Sequence, residues 1–232
     1  MVVREDSGSP GTLCIPQSEH AGISGQIARA WGNARFGALE PREQVCLAAA
    51  RHDDGMDEFD ADPARDPETG LPLSFMRMPL GAWLECWRRG PSLVAAESPY
   101  AGLLVSLHGD YLLGYRRLDP GDEDGRRALA AYRSEQRDLR SEWLAEAAAE
   151  PAARGLSDPA AIERRRKLIE IWDAMSLAVC MPRLPDSFGA VPAAGSETVT
   201  IAMREAGEGL VAVDPWPFAP GELALEATGR LN

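Results

Sequence analysis

The sequence predicts a mainly α-helical protein, with a helical core placed between two β-hairpins that together form a small β-sheet. Three observations lead there. Apolar residues recur at steps of three and four through the middle of the chain. Short alternating segments occur only near its two ends. An apolar content of 45% in 232 residues is ample for a packed core.

Each element follows in order. Met1 to Glu5 and Thr12 to Ile15 alternate on either side of the turn-rich Asp6-Ser7-Gly8-Ser9-Pro10-Gly11, which reads as a hairpin over 1–15. From Pro16 the period becomes helical, with His20, Ile23, Ile27 and Trp31 on one face until Gly32-Asn33. Pro41 opens a second helix through Val45, Ala48, Ala49 and His52, which stops in Asp53-Asp54-Gly55. Residues 54–79 are rich in Asp, Pro and Gly and have no sustained period, as expected of a lid loop. Further helices are expected at roughly 80–96, 99–114, 126–149 and 158–181. The last has Ser157 or Asp158 as its cap and Pro159 at the first helical position. Thr198 to Met203 and Gly209 to Val213 then form a second hairpin within 196–218. The expected organisation is one domain over 1–232, with the helical core at 16–181.

Charge restricts the partners. There are 24 basic and 36 acidic side chains, a net of −12, and only Lys167 among the basic ones is a lysine. Such a surface repels nucleic acid and anionic lipid, so neither is expected as a partner. An anionic small-molecule substrate would have to be drawn in by a cation or a few focused arginines. The stretch from Glu40 to Glu68 alone holds ten acidic and three basic residues. Cys14, Cys46, Cys86 and Cys180 are too widely spaced for a zinc knuckle or a redox pair, and read as free thiols in a reducing compartment. With no apolar run of spanning length and no signal-like start, a cytoplasmic protein is expected, with homo-oligomerisation left open.

The histidines are the most informative residues. There are three, His20, His52 and His108, and each falls on the apolar face of an expected helix. Asp173 joins them, flanked at helical spacing by Ile169, Ser176, Leu177 and Cys180. Taken singly, a buried histidine is ordinarily a hydrogen-bonded core residue. Four such groups on the core faces of four helices are better explained by a cation, because a buried carboxylate is costly unless paired. Imidazoles with carboxylates suit zinc, manganese, iron or nickel.

The order His20, then His52-Asp53, then Asp173 resembles the HD-domain superfamily of metal-dependent phosphohydrolases. The run Leu47-Ala48-Ala49-Ala50-Arg51-His52-Asp53-Asp54-Gly55 is similar to that superfamily's approach to its His-Asp motif, and His20-Ala21-Gly22-Ile23-Ser24-Gly25-Gln26-Ile27-Ala28 to its first helix. The likeness implies an HD-type helical bundle in which His20, His52, Asp53 and Asp173 hold one divalent ion (Zn, Mn or Fe), with Asp53 bridging if a second ion binds. It further implies hydrolysis of a small phosphorylated or otherwise anionic substrate; Asp54, Asp57 and His108 are the candidates for activating water or substrate, and Arg165 or Arg166 for holding the anion. Two departures are evident. Met56 stands where many hydrolytic members carry lysine, and only His108 lies where dinuclear members have two histidines. A second ion would therefore need a carboxylate such as Asp54, Asp57, Glu85 or Asp110, or water. An HD-type iron oxygenase is the alternative reading, and a non-catalytic metal- or ligand-binding protein is the third. End to end, the chain is more similar still to an uncharacterised bacterial family known only as a domain of unknown function. The segments carrying that likeness are Gln17 to His20, His52 to Gly55, Pro99 to Gly109, Leu168 to Cys180 and Asp214 to Phe218.

Overall fold

The computed structural model describes residues 1–5, 11–149, 156–181 and 184–231. The expected turn at 6–10 lies outside the described residues. Strands β1 (Val2–Glu5) and β2 (Thr12–Ile15) pair antiparallel, Val2 opposite Ile15. Among the described residues seven α-helices follow: α1 (Gln17–Ala30), α2 (Arg42–Arg51), α3 (Asp57–Ala61), α4 (Leu80–Ala95), α5 (Pro99–Leu112), α6 (Glu123–Ala149) and α7 (Pro159–Cys180). Then come β3 (Ser187–Pro192), β4 (Thr198–Gly207), β5 (Leu210–Asp214) and β6 (Arg230–Leu231). None of the described helices is long and apolar enough to cross a membrane.

Two helix starts carry side-chain caps. Ser98 accepts from Ala101 N–H at 3.3 Å with Pro99 at the first position of α5. Asp158 does the same for Ala160 N–H at 3.2 Å ahead of Pro159 in α7. Both devices satisfy an N–H that the helix leaves without an internal partner. The core is built where α1 packs on α2 and α7, and α5 packs on α2, α4, α6 and α7. Trp31, Trp87, Trp172 and Tyr100 are fully buried there, and all four cysteines are buried. Gly55 allows the closest approach: a Cβ on it would stand 2.0 Å from the carbonyl oxygen of Cys86, so only glycine lets the chain after His52 lie against α4.

Two expectations need correction. The terminal hairpins do not share one sheet. They belong to separate three-stranded sheets, β1-β2-β6 and β3-β4-β5. The second hairpin gains β3 and packs beside α7, while the two-residue β6 pairs Leu231 with Leu13 and Arg230 with Cys14. A strand so short carries no periodicity to read. The segment 54–79 is also more structured than an aperiodic loop. It contains a 3-10 turn at Asp54–Met56, α3, and a second 3-10 turn at Phe75–Arg77. Asp66 caps a turn by accepting from Glu68 N–H at 2.9 Å and pairs with Arg77, while Asp60 and Met78 are buried. Local Asp-to-backbone bonds of this kind give structure without hydrophobic period.

Candidate metal centre

Helical spacing explains why the site residues meet. In α1, Gln17, His20 and Ser24 lie at steps of three and four and are all buried. In α7, Asp173 and Ser176 lie three apart on the buried face. His52 ends α2, and the backbone then turns at Asp53 into the 3-10 segment, so successive side chains diverge. Asp53 points inward, Asp54 pairs with Arg51 and Gly55 meets α4. From α5 comes His108, which is fully buried.

One ligand atom from each of His20, His52 and Asp173 lies within 4.8 Å of the others. His20 Nε2 is 2.8 Å from Asp53 Oδ2. His52 Nε2 is 3.6 Å from the same oxygen and 3.5 Å from Asp173 Oδ1. His108 Nε2 is 3.2 Å from Asp173 Oδ2, although neither of its ring nitrogens has a hydrogen-bond partner.

Hydrogen-bond bookkeeping fixes the tautomers. Nδ1 of His52 lies 2.8 Å from the Ala49 carbonyl, which can only accept, so Nδ1 carries the proton. In the neutral ring, Nε2 therefore presents a lone pair, and that buried atom has no partner. Ser176 donates its hydroxyl hydrogen to the Asp173 carbonyl at 2.8 Å, so at 3.1 Å it accepts from His20 Nδ1. His20 Nε2 is then also a lone pair, aimed at a carboxylate oxygen. Two imidazole lone pairs and two carboxylates thus converge out of water and repel one another unless positive charge stands among them. A divalent cation balances two carboxylates and two neutral imidazoles, so the residues fit the metal that the sequence implies.

Protons are the other source of positive charge. Burial pushes His52 down, but the carboxylates of Asp53 and Asp173 outweigh it and raise its pKa to about 9. Burial pushes Asp53 up, yet His52 and His20 hold it below the usual carboxylate range. The same balance with His108 and His52 holds Asp173 well below it. With neutral histidines the cluster carries the charge of its two carboxylates, so it could hold a cation.

Residues 1–231 match the family described as "Protein of unknown function (DUF3891)". The chain belongs to the DUF3891 family. No curated protein and no solved structure matches it. An end-to-end likeness to a family of unknown function is what the sequence led us to expect, and in this DUF3891 chain the segments carrying it include every residue of the cluster.

Not every expected site residue of this DUF3891 protein reaches the cluster. Asp54 is held by Arg51, and Asp57 is exposed at the start of α3. Of the further candidates for a second ion, Asp110 pairs with Arg140 at 3.0 Å and Arg133 at 3.4 Å, and Glu85 is 73% exposed. Arg165 is turned away, donating to the Glu40 carbonyl at 2.7 Å and to the Tyr100 hydroxyl at 2.6 Å. Arg166 lies nearer. Its guanidinium sits 5.0 Å over the Tyr111 ring, which stacks on His108, but Glu163 and Glu170 already occupy its donors. Sequence reasoning missed Gln17 and Ser24 as partners of the cluster. Their signal was polar character on the His20 face, at the i−3 and i+4 positions.

Proposed function

We propose that this protein is a metal-dependent hydrolase of the HD type acting on a small phosphorylated or otherwise anionic substrate. The observation that carries the reading is the buried convergence of His20, His52, Asp53 and Asp173 with lone pairs and carboxylates facing one another. His20, His52 and Asp173 would hold one divalent ion, with Asp53 beside them. Such an ion supplies Lewis acidity and brings the pKa of bound water toward neutrality.

The protein's own groups do the rest. Ala49 and Ser176 hold His52 and His20 in the tautomers that present Nε2. His108, with both ring nitrogens unpartnered beside Asp173, is the group placed to take a proton from water or give one to a leaving oxygen. Because Arg166 and Lys167 are already neutralised by Glu163 and Glu170, the pull on an anionic substrate falls to the cation, against a net charge of −12.

The test is elemental analysis of protein purified without chelator or histidine tag, for wild type, His52→Ala and Asp173→Ala, followed by assay of phosphate mono- and diesters. About one equivalent of metal in wild type, lost in both variants, with metal-dependent ester cleavage, is the expected result. A folded wild type that takes up no zinc, manganese or iron sinks the proposal. Two irons with oxygen uptake would replace hydrolysis by the oxygenase reading.

A further inference from the structure

Gln17 is not used by that reading, yet its side-chain amide touches the cluster. Its side chain is buried at the start of α1, one turn ahead of His20. Nε2 donates to Asp53 Oδ2 at 3.3 Å, the same oxygen that faces the Nε2 atoms of His20 and His52. Its backbone N–H is bonded to the carboxylate of Asp60, itself buried in α3, so the residue is anchored at both ends. Oε1, on the same amide, is buried and has no partner.

An orphaned buried acceptor costs free energy unless a donor reaches it. Around Gln17 the Nε2 atoms of neutral His20 and His52 present lone pairs, and the carboxylates are acceptors. A water held by the cation would supply a donor, because its hydrogens are polarised by the charge. We propose that Gln17 is a positioning residue of the centre: its Nε2 fixes which Asp53 oxygen is committed to the protein, and its Oε1 accepts a hydrogen bond from a water on the cation. The inference rests on the metal reading above and deepens it. A centre with such a water keeps an open coordination position, which separates a catalytic site from a closed structural one.

Two substitutions of similar size separate positioning from packing. Gln17→Met keeps the volume and removes both polar contacts. Gln17→Glu keeps an acceptor, loses the donor to Asp53 and adds negative charge beside the cation. Dissociation constants for Mn2+ and Zn2+ alone would be measured by chelator competition on the full chain, with the fold checked by circular dichroism and thermal unfolding. Water-proton relaxation of the Mn2+ form would report coordinated, exchanging water. We expect Gln17→Met to weaken metal binding about 10- to 100-fold, as loss of a ligand-orienting partner does. Gln17→Glu should bind at least about 10-fold more tightly than Gln17→Met, since charge near a divalent ion favours it. Wild-type Mn2+ protein should show relaxation enhancement that Gln17→Met alters. Equal affinity in both folded variants and wild type, equal weakening in both, or a wild-type Mn2+ form without exchanging water would each overturn the inference while leaving the metal centre standing. A wild type that binds neither ion overturns the hydrolase reading itself. If Gln17→Met does not fold, the comparison of Gln17→Glu with wild type and the wild-type relaxation measurement still decide the matter.

Discussion

In the metal-free protein, raising the pH from 6.5 to 8.5 is expected to cost about 2 kcal/mol of stability through His52 alone. The folded pKa of His52 is about 9 against an ordinary value of 6.5, and the group is fully buried. A raised folded pKa stabilises the folded state fully below the unfolded value, and the benefit is lost as the pH climbs through the folded one. At pH 6.5 the shift contributes about 3 kcal/mol, and at pH 8.5 less than about 1 kcal/mol. Asp53 and Asp173 titrate below the ordinary carboxylate value of 3.8, so their contribution is constant across this window and falls away only in acid. Burial raises Cys46, and takes Cys86 and Cys180 to about 11, from an ordinary 9.0. Their loss has the same sign but starts near pH 9, which is why the window stops at 8.5. Urea unfolding in chelator, followed by tryptophan fluorescence at pH 6.5, 7.5 and 8.5, measures the slope, and His52→Gln is the control without it. A flat or rising stability in wild type, or the same fall in His52→Gln, would refute the argument that paired carboxylates hold a proton on His52.

Further outcomes follow from the same geometry. Gly55→Ala should destabilise by about 3 kcal/mol or more, because its Cβ would press on the backbone oxygen of Cys86, which cannot swing aside. Thermal or urea unfolding checks this, and a cost below about 1 kcal/mol would mean that α4 is loosely docked. Arg165→Ala should leave metal content and any hydrolytic activity at wild-type level while lowering stability by about 1–2 kcal/mol, since Arg165 holds Glu40 and Tyr100 rather than the cluster. Asp57→Asn should change neither metal content nor rate, and a large loss of activity would show that α3 rearranges over the centre.

Much of this architecture is legible in the chain because it is local. Apolar steps of three and four marked α1, α2, α4, α5 and α7 to within a few residues. The Ser-Pro and Asp-Pro starts of α5 and α7 are written as adjacent residues. Three histidines and Asp173 stood out because polar groups on apolar faces demand partners, wherever those partners come from. What failed had no local signature. β6 is two residues long and is a strand only because β2 lies beside it. Asp54 and Asp57 look like site residues from the sequence, being next to His52-Asp53, but the tight turn after Asp53 sends each side chain its own way. Arg165 and Arg166 are neighbours on one helix, yet successive residues of a helix point about 100° apart, so only Arg166 meets the ring that stacks on His108.

Residue types, spacing and burial pattern were thus enough to name polar groups that meet in the core, because desolvation of a charge is a property of the residue and its face. That His20 turns Nδ1 to Ser176 and Nε2 to Asp53, and that Gln17 touches Asp53, were decided only by tertiary contacts. Those facts depend on hydrogen bonds between residues as far apart as His20 and Ser176, and no period along the chain encodes them.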